Sequence, residues 1–197
     1  MNAKDSIPIR TPCEARAAAK AELSKKRYRH TVSVAAAARR LARRFGESVE
    51  AAQIAAYLHD IAKELPAERL RQLADCGELA DLTDKKQAQP VLHAFAGARI
   101  ACERYGITDG DILNAIRYHT TGRPGMSRLE MIIFVADFIS ADRRQKTAEP
   151  VRRRAKQSLE LAAAEELRLS IEYLNGKKAE IVPLTLAAYD ELKGKTI

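Results

Sequence analysis

Tryptophan is absent from the 197 residues, and phenylalanine and tyrosine bring the aromatic share to only 5%. A stacking platform for single-stranded nucleic acid is therefore poorly supported, since each base needs a π-face to lie on. No apolar run approaches the ~20 residues of a membrane-spanning helix. The opening stretch MNAKDSIPIRTPCEARAAAK has no apolar core segment and does not read as a secretory signal. Cysteine is scarce: Cys13, Cys76 and Cys102 are odd in number and show no CxxC spacing. Such thiols are expected to be free in a reducing cytoplasm. Cys102 lies in a helical apolar pattern and is expected in the core. Alternating β-branched runs are also lacking, as are a GxSxG elbow and a P-loop. These absences argue against a sheet protein, a serine hydrolase and a phosphate-loop NTPase.

What is present is helical. Ala, Leu, Arg, Glu and Lys dominate a chain that is 46% hydrophobic and 30% charged. That composition and length suit one globular, all-α domain with a substantial core. Helices are expected at 12–25, 28–45, 48–63, 66–75, 90–105, 109–119, 127–141, 150–174 and 184–193, broken at Gly, Pro and N-cap signals. The stretch 77–90 reads as the longest loop, and residues 1–13 as a loosely ordered extension. The net charge of +8 suits a phosphorylated small molecule, nucleic acid or a plain solvated surface.

The four histidines stand where charge is expensive. His30 shares a helical stripe with Val34, Ala37, Ala38 and Leu41, and His93 shares one with Ala96, Gly97, Ile100 and Ala101. His119 lies one turn after Ala115 and Ile116, and Asp137 one turn after Ile133 and Phe134. His59 and Asp60 interrupt the apolar run AAYLHDIA. A single histidine on such a face is more often a hydrogen-bonded core residue than a ligand. Six such groups on five helices are better explained by one shared metal site, since buried charge needs compensation. Neutral imidazoles and carboxylates are ligands that iron, manganese, cobalt and zinc accept. Adjacent residues on a helix diverge by about 100°, so His59 and Asp60 can serve two ions, the arrangement of two-metal phosphate hydrolysis. Lys63 follows on the same face, where it can neutralise a phosphoryl oxygen or simply complement a helix end.

The ordered set His30, His59–Asp60, His93, His119 and Asp137 resembles the HD superfamily of metal-dependent phosphohydrolases. The flanking text KRYRHTVSVA, AAYLHDIAKELP, LHAFAGARIA, ILNAIRYHTTGRPGMSRLEMIIFVADFIS and PLTLAAYDEL is similar to its YqeK-type branch, the symmetrical bis(5′-nucleosyl)-tetraphosphatases. The resemblance runs from residue 14 to the C-terminus. It implies an HD-type helical bundle with a metal-site core over about 27–145 and C-terminal helices over 150–193. It also implies two irons and hydrolysis of diadenosine tetraphosphate to two ADP. Carried over, His30, His59, Asp60 and Asp137 hold one ion, His93 and His119 the other, and Asp60 bridges; Asp60 and Lys63 act in catalysis. Arg27, Lys63, Thr120, Thr121, Gly122, Arg123 and Arg143 are implied substrate contacts. Thr hydroxyls, a permissive Gly and an Arg fork also suit a phosphate on physical grounds. Ser140, Ala141 and Asp142 depart from the acidic residue and Pro–Gly that the family shows before its Arg; that departure is expected to spare the metal ligands. A basic cluster of Arg143, Arg144, Lys146, Arg152, Arg153, Arg154 and Lys156 is expected either to rim the site or to be a solvated face. The expected partner is a dinucleoside polyphosphate or other nucleotide, with no membrane; nucleic acid binding and a homodimer remain open.

Overall fold

The computed structural model describes residues 7–74, 89–143 and 147–194. Among them run ten helices and no strand. They are α1 (Pro12–Glu22), α2 (Lys25–Phe45), α3 (Val49–Leu58), α4 (Ala67–Leu73), α5 (Gln89–Glu103), α6 (Gly110–Arg117), α7 (Arg128–Ile139), α8 (Ala148–Arg154), α9 (Leu159–Gly176) and α10 (Pro183–Gly194). Residues 77–88 of the expected 77–90 loop, Cys76, Arg144 and Lys146 lie outside the described residues, while Gln89 and Pro90 already belong to α5.

Side-chain oxygens start most of these helices by accepting an orphan amide. Thr11 and Ser127 form capping boxes with Glu14 and Glu130, and Ser24, Ser48, Asp109 and Ser158 accept from the first turn. Gly46, at φ 68°, stops α2 in the left-handed conformation. Ser158 divides what the sequence presents as one helix over 150–174: it accepts from Leu161 N and begins α9 anew. Residues 7–11 are not loose. Ile7 N and Ile9 N donate to the carbonyls of Arg104 and Tyr105, and Ile9 is buried.

Every residue of helix α7 from Leu129 through Ala136 is buried, and all but Glu130 are apolar, so the helix must be enclosed. It packs against α2, α3, α6, α8 and α9. Helix α2 lays the stripe Val34, Ala37, Ala38 and Leu41 on α3 and α7. A second cluster joins α4 and α5 through Leu70, Leu73, Leu92 and Phe95 to Tyr118. Cys102 is exposed, contrary to its expected place in the core. It falls with Arg99 and Glu103 on an exposed strip near the C-terminal end of α5, where Ala98 and Ala101 are the buried residues.

Candidate metal centre

The helix expected over 48–63 ends at Leu58, so His59 and Asp60 stand in the turn at its C-terminus. The physical cause is a side chain. His59 Nδ1 donates to Ala56 O at 2.6 Å, and the chain continues in tight i→i+3 turns. His119 repeats the device after α6, donating from Nδ1 to Ile116 O at 2.7 Å. In each ring that bond places the proton on Nδ1 and turns the Nε2 lone pair away from the backbone, toward the centre of the bundle. His30 comes from α2, His93 from α5 and Asp137 from α7.

These side chains converge around Asp60, which is 3% exposed. Its two oxygens face different partners. Oδ2 lies 3.5 Å from His59 Nε2 and 3.8 Å from His30 Nε2. Oδ1 lies 3.1 Å from His93 Nε2 and 3.8 Å from His119 Nε2. Asp137 Oδ1 joins the first side, 2.9 Å from His30 Nε2, and the Nε2 atoms of His93 and His119 are 3.2 Å apart. Three overlapping groups, His30–His59–Asp60, His59–His119–Asp137 and Asp60–His93–His119, bring their ligand atoms within 4.8 Å of one another.

This donor set fits metal cations. His59 Nε2 is buried without a hydrogen-bond partner, and an orphaned buried nitrogen is costly unless something else meets it. Burial alone would raise the Asp60 carboxyl, yet the facing imidazoles, His59 first and then His119 and His93, hold it well below the usual range. Burial likewise opposes ionised Asp137, but His30 and Arg143 lower it. Burial depresses His93 to about 3 and lowers His119, so both present neutral imidazoles. His59 is raised overall, because Asp60 and Asp137 outweigh its burial; the carboxylates that draw a proton there would equally draw a metal ion.

The HD domain, as a family, matches residues 27–142, the segment that carries all six of these side chains. The chain belongs to the HD-domain family. It is 39% identical over 180 residues to the symmetrical bis(5′-nucleosyl)-tetraphosphatase of Bacillus subtilis (strain 168), covering 91% of this chain and 96% of the relative. The protein of the same name from Halalkalibacterium halodurans is 40% identical over 181 residues, covering 88% of this chain and 92% of that one. A crystal structure from Clostridium acetobutylicum, described as a predicted HD superfamily hydrolase involved in NAD metabolism, superposes with a TM-score of 0.84 at 31% identity. It covers 95% of this chain and 100% of that one.

In this HD domain a layer of charged groups surrounds the six. Arg27 NH1 donates to Asp60 Oδ2 at 2.8 Å, and Arg143 NH2 donates to both oxygens of Asp137 at 2.9 and 3.1 Å. Lys63 Nζ lies 3.1 Å from His93 Nε2, its amine lowered by burial and partly restored by Asp60 and Asp137. The structure thus brings Arg27, Lys63 and Arg143 to the expected centre. It uses Arg123 differently. The Arg123 guanidinium grips buried Glu130 through Nε at 2.7 Å and NH2 at 2.6 Å and lies over the Tyr118 ring. Gly122 takes φ 62°, and a Cβ there would meet Ala188 and Met126 at 3.4 Å, so this turn is pressed against α10. The Thr120 and Thr121 hydroxyls are buried without hydrogen-bond partners.

Further supports around the six groups are set by tertiary contacts. Asp142 does not stand apart from the ligands: its Oδ2 is 2.7 Å from His30 Nδ1, and its amide donates to Ser33 Oγ. Arg152 is neither rim nor solvated face. Its guanidinium donates to the carbonyls of Ile139 and Arg143, pinning the turn that carries Asp142. Glu64 accepts from Ser24 N and Oγ at 2.8 and 2.6 Å, tying the start of α2 to the turn after Asp60. For Asp142 no spacing in the sequence points to His30.

Proposed function

We propose that this protein hydrolyses dinucleoside tetraphosphates symmetrically, taking diadenosine tetraphosphate and water to two molecules of ADP. The observation that carries this reading is the split of Asp60 between two histidine pairs, in a chain that aligns along most of its length with proteins named for that reaction. His30, His59, Asp60 and Asp137 would hold one ion, and Asp60, His93 and His119 a second. Iron is the metal the family resemblance implies, and manganese, cobalt and zinc suit the same donors. When bound, a metal pair supplies an activated water and neutralises phosphoryl oxygens.

The chain's own residues supply the rest. Asp142 and the carbonyls of Ala56 and Ile116 fix three imidazoles by their Nδ1 atoms, so the ligating nitrogens are oriented in advance. Arg27, Lys63 and Arg143 place positive charge beside the carboxylates, where a phosphate chain would meet it. Thr120 and Thr121 offer hydroxyls whose bonds are still to be made. Water attacks an inner phosphorus, the central P–O–P bond breaks, and ADP departs as a stabilised anion that needs little proton donation.

The test is to incubate purified protein with diadenosine tetraphosphate, resolve the nucleotides and measure bound metals, with Asp60→Ala alongside. ADP as sole product, lost in Asp60→Ala, supports the reading. ATP with AMP would overturn symmetrical cleavage while leaving a metallohydrolase.

A further inference from the structure

A depression of about 350 Å³ lies between α1, α2 and α3. Val32, Ala36, Gln53 and Tyr57 line it together with four arginines: Arg16, Arg39, Arg40 and Arg43. It is separate from the metal centre. At ~100° per residue, Arg39 and Arg43 fall roughly 180° and 220° around α2 from His30. His30 is buried against the metal-binding side, whereas the arginines and Ala36 are exposed on the other.

The charge here is uncompensated. Several arginines elsewhere in the fold meet carboxylates: Arg104 with Glu22, Arg99 with Glu103, Arg168 with Glu165 and Glu172, Arg123 with Glu130. Among the described residues Arg39, Arg40 and Arg43 make no hydrogen bond or ion pair, and no carboxylate lines the depression. Arg39 and Arg43 stand at i and i+4, and Arg40 and Arg43 at i and i+3, spacings at which like charges repel along a helix. Arg16 is held toward the same groove by its Nε–H donated to Tyr28 Oη at 3.0 Å. Four guanidiniums around a partly apolar floor, without an acid among them, form a receptor for phosphate oxygens, which guanidinium binds through paired donors. The volume is in the range of small-molecule sites and suits a mononucleotide.

We infer that this groove is a second anion site, on the far side of α2 from the metals, that takes a phosphorylated ligand of nucleotide size. Its occupant is held by charge at the rim and by contact with Val32, Ala36 and Tyr57 below. The site stands independently of the reaction assigned to the metal centre, because none of its lining residues belongs to that centre.

The probe is radiolabelled ADP in equilibrium dialysis against the metal-loaded protein, with diadenosine tetraphosphate hydrolysis measured on the same samples. Arg39→Gln/Arg43→Gln is expected to weaken one class of ADP binding by about tenfold or more and to leave kcat/KM within about twofold. Ala36→Trp, which fills the floor and keeps every charge, is expected to do the same. Arg69→Gln/Arg71→Gln on α4 removes equal charge elsewhere and is expected to change nothing. Identical isotherms for wild type and both groove variants would overturn the inference, as would equal loss in the α4 control. Binding of a short single-stranded RNA that depends on Arg39 and Arg43 and is not displaced by ADP would also overturn it, in favour of a nucleic-acid surface. Loss of hydrolysis in every sample, with groove binding intact, would count against the proposed reaction alone.

Discussion

His30 Nδ1 and Asp142 Oδ2 lie 2.7 Å apart, although 112 residues separate them in the chain. Burial opposes ionisation of Asp142, but the His30 bond keeps its carboxyl below the ordinary range. A carboxylate accepting from Nδ1 fixes the ring and makes Nε2 a more basic ligand. Asp142→Ala is therefore expected to weaken metal binding by about 10–100-fold while leaving helicity unchanged. Competition against a chelator reads the affinity. Wild-type affinity in Asp142→Ala would show that His30 needs no such support.

Asp60 faces His30 and His59 with one oxygen and His93 and His119 with the other, which predicts unequal losses. His93→Ala is expected to release one of two ions, and Asp60→Ala to compromise both. Metal analysis per chain after desalting distinguishes the two. Equal stoichiometry in both variants would contradict the division of ligands.

Arg123 and Glu130 separate a substrate role from a structural one. Glu130 is 1% exposed in its side chain and Arg123 30%. Removing Arg123 leaves a buried carboxylate without its main partner, at about 2–4 kcal/mol, discounted from the ~3–5 kcal/mol of a wholly buried pair. Arg123→Ala is thus expected to lower Tm by roughly 5 °C or more, with Arg123→Lys intermediate because it keeps charge but loses the fork. Unchanged Tm with a raised KM would return Arg123 to the phosphate chain.

Glu166, on α9, is buried with Oε2 unpartnered. Burial, and then the charge of Asp137, push its carboxyl well above the ordinary value, and Arg143 only partly opposes them. Between the ordinary value of 4.5 and this raised one, the unfolded chain loses its proton while the folded one keeps it. The stabilisation is therefore complete below 4.5 and is lost as pH rises through the folded pKa. Glu166→Gln is expected to raise Tm by a few degrees near pH 8, at about 1.4 kcal/mol per unit of pKa difference, and to lose that advantage below the ordinary glutamate pKa. Thermal melts of both proteins across pH 4–9 check the sign; an advantage that grows on acidification would refute it.

The six groups of the candidate centre were legible because each breaks a local rule. His30 and His93 interrupt apolar stripes of α2 and α5, Asp137 follows an enclosed apolar run, and His59–Asp60 and His119 end apolar segments. The end of α3 at Leu58 was not legible. Nothing in AAYLHDIA distinguishes a helix that continues from one whose last carbonyls are taken by an imidazole, since both satisfy the same periodicity.

By itself, then, the sequence determined an all-α bundle and the six groups that gather in its core, because helical periodicity and the cost of buried charge act along the chain. Tertiary structure alone decided which oxygen of Asp60 meets which histidines, that Asp142 steadies His30, that Arg123 serves Glu130, and that Arg16 completes the groove beside Arg39 and Arg43. Those pairings depend on hydrogen-bond directions and ångström-scale distances between separate helices. Residue spacing constrains neither.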